Sequence, residues 1–266
     1  MLFAKTIRDG GTENRNFKGT FVKTLIRSVI LPLLIVTLFT MNVAHGTDAV
    51  QFPSLMQQLQ LKWPKNRTIR IVFHGHSVPA GYFKTPEIRR FDSYPLLFQQ
   101  QLCQQFPTAA IDVSVTAIGG ENSKQGASRF ADDVLSIKPD LIFIDYSLND
   151  RSLPLEEVRL YWEVMIVEAT QNGIPIVLLT PTPDSREDIT NDDSPLQKHA
   201  DQVKHLGLSY KVPVVDSYGE FQRRVREGAD VNSFLSQTNH PNRMGHDIVT
   251  QLIMKLFPKQ DAANAK

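Results

Sequence analysis

The sequence predicts a three-layer α/β domain, a parallel sheet covered by helices on both faces. Three observations carry this. Five short apolar runs rich in β-branched residues recur between residues 69 and 216. These runs are nearly continuous in apolar residues, the mark of strands buried on both faces. Segments with helical spacing separate them, as crossovers between parallel strands require.

The elements follow in order. Residues 47–67 form a lead-in containing Pro53, Trp63 and Pro64. Strands are expected at Ile69–His74, Ile111–Ala117, Leu141–Tyr146, Ile174–Thr180 and Val212–Asp216. Between the first two, Phe91–Phe106 places Tyr94, Leu97, Phe98 and Leu102 on one helical face. Phe130, Val134 and Ile137 do the same in 123–137, and Val158, Tyr161, Trp162, Met165 and Ile166 in 154–172. Helical patterns also fit 195–209 and 218–227. A last helix runs from about Asn242 to Phe257 with Ile248, Leu252, Ile253 and Leu256 inward. No internal repeat or second domain interrupts the pattern.

The 266 residues carry a formal charge of +1, 41% hydrophobic and 21% charged residues. That suits one large domain with a real core and gives no electrostatic reason to expect a nucleic-acid partner. The single cysteine, Cys103, excludes an intrachain disulfide and any cysteine-cluster metal site. It sits in the apolar pattern of the first long helix, so core packing is expected of it. The near-neutral total hides an asymmetry. Lys5, Arg8, Arg15, Lys18, Lys23 and Arg27 precede an apolar run from Val29 to Met41, and Ala44-His45-Gly46 follows. These are the parts of a secretory signal, cleaved after Gly46. An uncleaved anchor is the rival, although the run is shorter than the ~20 apolar residues of a bilayer span. Residues 1–46 hold six of the 29 basic and two of the 28 acidic residues, so the remaining chain is mildly acidic at −3. A secreted or periplasmic product is expected, with no stable membrane insertion once the signal is removed.

In a sheet of this kind ligands bind beyond the carboxyl ends of the strands. There stand Gly75-His76-Ser77, Gly119-Gly120-Glu121-Asn122-Ser123, Ser147-Leu148-Asn149-Asp150 and Asn239-His240-Pro241-Asn242. A serine at a strand-to-loop turn can serve as a nucleophile, and a histidine can take its proton. The Ser77 and Gly120 N–H groups and the Asn149 amide would hold the oxyanion of a tetrahedral intermediate. Taken singly, each has a plainer reading. Ser77 alone is a turn residue, His240 alone a helix cap, and Asn149 with Asp150 an Asn/Asp turn. Asn242 is the better cap, His246 is expected to pack, and Asp150 is expected to be structural.

These blocks, in this order, resemble the SGNH hydrolases, the GDSL-like lipases and acylhydrolases. The resemblance covers about residues 68–257. It implies a flavodoxin-like α/β/α sandwich with a five-stranded parallel sheet, a serine esterase activity on carboxylic esters, and no cofactor or metal. Site residues carried over are Ser77 and His240 as catalytic pair, with Ser77, Gly120 and Asn149 as oxyanion hole. The chain then divides into a signal peptide or anchor (1–46), the lead-in (47–67), the hydrolase domain (68–258) and a tail (259–266). O-acetylated polysaccharide or a small-molecule ester is the expected substrate.

Two positions depart from the family. His76 stands where it has aspartate, and Gln237 where its histidine-orienting aspartate belongs. A glutamine cannot stabilise an imidazolium as a carboxylate does. On one reading Ser77 and His240 work as a dyad with a neutral oxygen orienting the ring. Alternatively Asp216, Asp184 or Asp230 supplies the acid, or the chain keeps the pocket as a glycan- or ligand-binding protein without turnover. His74 and His76 could form half of a metal site, but no further ligands are evident. Thr180-Pro181-Thr182-Pro183-Asp184 leaves the fourth strand towards the same rim. Arg223, Arg224 and Arg226 read as a solvated helix face beside Glu220 and Glu227.

Overall fold

The computed structural model describes residues 51–259. The expected export segment and most of the tail lie outside them. The order of elements is α1 (Pro53–Leu59), β1 (Thr68–Gly75), α2 (Ser77–Ala80), α3 (Tyr94–Gln105) and β2 (Ala110–Val115). Next come α4 (Ser123–Ser128), α5 (Phe130–Asp133), β3 (Leu141–Asp145), α6 (Ser147–Asp150), α7 (Leu155–Gln171) and β4 (Ile176–Leu179). The chain ends with α8 (Pro195–Tyr210), β5 (Val214–Val215), α9 (Ser217–Arg226), the short ladder β6 (Leu235–Gln237) with β7 (His240–Pro241), and α10 (Arg243–Met254). Strands β1 to β5 form one parallel sheet in the order β2-β1-β3-β4-β5. That is the flavodoxin-like order.

Alternate strand residues feed two cores. Ile71, Phe73, Phe143, Val177 and Leu179 face α3, α9 and α10, meeting Tyr94, Phe98, Leu102, Phe221 and Ile253. Phe73 and Phe143 stack across β1 and β3 at 4.4 Å. Val72, Ile142, Ile144, Ile176 and Leu178 face the other way, onto Val158, Trp162, Met165 and Ile166 of α7 and Val203 and Leu206 of α8. Every residue of β3 and β4 is buried, as their unbroken apolar runs require.

The structure corrects three expectations, at β2, at 123–137 and at Cys103, and adds a helix to the lead-in. β2 is an edge strand, so its sequence Ile111-Asp112-Val113-Ser114-Val115 alternates and stays at best half-buried. Segment 123–137 is three short pieces, because the backbone leaves helical geometry at Arg129 (φ −116°, ψ 8°). The lead-in contains α1, whose Leu55, Met56 and Leu59 are buried in the first core. Cys103 is only half-buried rather than packed in the core. Partial burial raises its thiol pKa, which keeps it away from the reactive thiolate. Among the described residues no helix is long and apolar enough to cross a membrane.

Candidate active site

Ser77 is the first residue of α2, directly beyond β1. Gly75 must be a glycine, since a Cβ there would lie 2.4 Å from the Asp145 carbonyl oxygen and 2.8 Å from Pro79. That close approach lets β1 turn sharply out of the sheet. His76, in extended geometry, caps α2, its Nδ1 accepting from the Val78 N–H at 3.3 Å. The ring thus does the capping work an aspartate carboxylate would do at this place. Its Nε2 lies 3.3 Å from Asp145 Oδ1, at an angle that forms no hydrogen bond, with both side chains buried. Tyr94 Oη donates to the other Asp145 oxygen at 2.9 Å.

His240 reaches Ser77 from the far end of the chain. The β6–β7 ladder presents it, and Ser236 Oγ donates to its carbonyl at 3.0 Å. Asn242 caps α10, accepting from the Gly245 N–H at 3.1 Å and donating to Ser233 O at 2.7 Å. His240 Nε2 lies 3.0 Å from Ser77 Oγ. On the opposite edge of the ring, Nδ1 is 2.9 Å from the Phe83 carbonyl oxygen and 2.8 Å from Gln237 Nε2. Burial lowers the pKa of the ring, the Phe83 carbonyl opposes this, and His76 adds to it. A neutral imidazole at physiological pH is the form that can accept a proton.

Because β1 lies between β2 and β3, the loops that follow those two strands flank Ser77. On one side, residues 118–121 form a turn, the Glu121 N–H reaching Ile118 O at 3.4 Å. Gly120 occupies it at φ 84°, a left-handed conformation that favours glycine, and nothing stands within 4 Å of where its Cβ would be. On the other side, Asn149 Nδ2 donates to the Glu121 carbonyl at 2.8 Å. Asp150 next to it accepts from the Ser123 N–H and from Trp162 Nε1, both at 2.7 Å. Burial pushes its carboxyl up to about 6. Asn149 and Asp150 thus staple the Gly120 loop to the end of β3. Beyond the fourth strand, the Ser185 N–H donates to Thr238 O at 2.7 Å, so the Thr180–Asp184 loop leans on the loop before His240.

None of the three alternative acids meets His240. Asp216 binds Thr180 Oγ1 and caps α9. Asp184 is gripped by Arg151 and Arg186. Asp230 caps the 3-10 turn at Val231–Phe234. The group that does face Nδ1 without a donor of its own is the Phe83 carbonyl, on an excursion with no signal in side-chain chemistry. That excursion, residues 81–89, is a hairpin closed by Arg89 N–H to Gly81 O at 2.8 Å and Phe83 N–H to Glu87 O at 3.0 Å. The Asp145–Tyr94 pair was also missed, though a lone acid ending the apolar run Leu141–Ile144 marked it. His246 packs as expected, its Nδ1 accepting the Tyr94 N–H at 3.2 Å. His74 and His76 do not face one ion. His74 binds Thr116 Oγ1 at 2.8 Å and sits 3.1 Å from both Gly126 O and Tyr146 Oη, away from Asp145. Arg223 and Arg224 pair with Glu220, and Arg226 with Asp192.

The family described as "GDSL-like Lipase/Acylhydrolase family" matches residues 73–248. No curated protein sequence matches the chain. Among solved structures, Axe2, an acetylxylan esterase from Geobacillus stearothermophilus, superposes with a TM-score of 0.62 at 20% identity, covering 72% of this chain and 95% of its own. The acetyl xylan esterase AlAXEase gives 0.61 at 21% identity, covering 70% and 98%. LAE5, an alpha/beta hydrolase enzyme from the metagenome of Lake Arreo, Spain, gives 0.60 at 18% identity, covering 71% and 94%.

Proposed function

The chain belongs to the GDSL-like lipase/acylhydrolase family and is by that membership a carboxylic ester hydrolase, and on that premise we propose that it removes O-acetyl groups from carbohydrate through Ser77 and His240. The observation that carries the reading is the 3.0 Å contact between Ser77 Oγ and His240 Nε2, beside the Gly120 turn and Asn149. The acetyl preference follows the acetylxylan esterases that share the fold.

In this mechanism His240 Nε2 takes the Ser77 proton as Oγ attacks the ester carbonyl carbon. The negative oxygen of the tetrahedral intermediate rests on the Ser77 and Gly120 N–H groups and the Asn149 amide. The C–O bond to the sugar breaks, and His240 returns the proton to the departing oxygen. Water then attacks the acetyl-serine, giving its proton to His240. Collapse releases acetate and restores the proton to Ser77. Each oxyanion donor is worth on the order of 3 kcal/mol of barrier.

The test is release of acetate from acetylated xylan and from 4-nitrophenyl acetate by the purified protein. Wild type is expected to turn over both, and Ser77→Ala to lose at least about a thousandfold in kcat. An unchanged rate in Ser77→Ala sinks the assignment. Gln237 favours a second reading, a glycan-binding protein without turnover. Tight binding of xylan fragments with no labelling of Ser77 by a fluorophosphonate would select it. Export is part of the proposal: N-terminal sequencing of the secreted protein is expected to begin at Thr47, and recovery of the whole chain in membranes would select the anchor instead.

A further inference from the structure

Two neighbours make incompatible demands on one nitrogen. The Phe83 carbonyl, 2.9 Å from His240 Nδ1, is an acceptor and needs a proton on that atom. Gln237 Nε2, 2.8 Å away, is a donor and needs a lone pair there. The amide is held in this orientation from its other end, where Oε1 accepts from the Thr85 N–H at 3.0 Å. Rotating it by 180° would bring Oε1 to Nδ1 but set Nε2 against the Thr85 N–H, donor against donor. The conflict would move rather than disappear.

The two choices are the two neutral tautomers of the ring. With the proton on Nδ1, Phe83 is satisfied and Nε2 offers its lone pair to Ser77 Oγ. With the proton on Nε2, Gln237 is satisfied and the ring can no longer accept from Ser77. Resting on the Ser77–His240 reading above, we propose that Gln237 is a positioning residue that sets the His240 tautomer against the hairpin carbonyl, and so throttles turnover. A glutamate at 237 has the same length and no donor. It would accept from the Thr85 N–H and from Nδ1–H together, ending the conflict and stabilising the imidazolium.

The other groups facing this ring do not change with position 237. They are His76 at the cap of α2, backed by Asp145; Tyr82 of the hairpin, with ring centroids 5.9 Å apart; and His246 of α10, itself beside Arg243. Among the described residues none of the hydrogen bonds to the His240 ring involves a carboxylate.

The test uses the full chain labelled with 15N-histidine, read by long-range proton–nitrogen correlation, with His240→Asn to assign its signals. Wild type is expected to populate both tautomers at neutral pH. Gln237→Glu is expected to hold Nδ1–H alone, raise kcat at least about tenfold with KM unchanged, and move the acidic limb of kcat/KM upward by about one pH unit. Gln237→Leu, which removes the donor without adding charge, is expected to favour Nδ1–H and leave that limb in place. A wild type already wholly Nδ1–H, or tautomers that ignore both substitutions, overturns the proposal. A folded Gln237→Glu with lower kcat does the same. The resonances need no turnover, so a tautomer shift in a protein that cleaves no ester upholds Gln237 as the residue that sets the tautomer, while rejecting the throttle together with the esterase reading.

Discussion

Asn149 spends one of its two amide hydrogens on the Glu121 carbonyl, at 2.8 Å, and in the proposed mechanism the other serves the developing oxyanion. Asn149→Ala is therefore expected to lower kcat by about a hundredfold or more with a small change in KM, since the lost bond is made in the transition state. Steady-state kinetics on 4-nitrophenyl acetate check it, and a loss confined to KM would remove Asn149 from the oxyanion hole. At this scale the sequence was legible where chemistry resides in a side chain or in a glycine's freedom. Ser77, His240, Gly120 and Asn149 each have a letter that names their chemistry. The Phe83 carbonyl has none, because every residue owns one, and only folding decides which of them meets the histidine.

The segment α4 shows how an element far from the nucleophile holds the site. Gly126 lets it lie directly on Tyr146, where a Cβ would come 2.3 Å from Cζ of the ring. The ring cannot give way easily, because its hydroxyl lies 3.1 Å from both His74 Nε2 and Arg129 Nη2. Arg129 is in turn bound to Glu121 at 2.6 Å, within the Gly120 loop. Gly126→Ala is expected to lose about 1–3 kcal/mol of stability and to lower kcat, as the helix and its loop are pushed off β3. Urea unfolding and kinetics on the same protein check the pair, and a stable variant with full kcat would refute the coupling. The sequence showed the strands plainly, since β3 and β4 are unbroken apolar runs. It concealed the breaks within 123–137, where Phe130, Val134 and Ile137 keep a helical spacing. At the turn Arg129 binds Asp133 and also Glu121 and Tyr146, two partners that no helical spacing announces.

Across the whole molecule, acid is met by buried histidines. Burial holds His74 and His199 at about 4 and His246 at about 3, so all three are neutral in the folded protein at pH 5. Unfolded, each returns to about 6.5 and takes up a proton. Their folded values are depressed, so the stability they contribute is lost as pH falls below about 6.5. Asp150, raised to about 6, works the other way, keeping a proton in the fold that the unfolded chain has released above about pH 4. Between about pH 6 and pH 4 the unfolded chain thus gains three protons against one, and stability falls by up to about 3 kcal/mol per pH unit. Unfolding in urea at pH 7, 6 and 5 measures the slope. His199→Leu, at a ring whose Nδ1 has no partner, is expected to roughly halve it, and an unchanged slope would exclude this histidine from the acid response. The hairpin at 81–89 carries a consequence of another kind. Because the group it holds against the imidazole is main chain, no side-chain exchange at Phe83 deletes the carbonyl itself. The reading frame of the loop guards it instead. An insertion or deletion of one residue between Gly81 and Arg89 would move that oxygen off the imidazole and, on the proposed mechanism, lower kcat with Ser77 and His240 still in place.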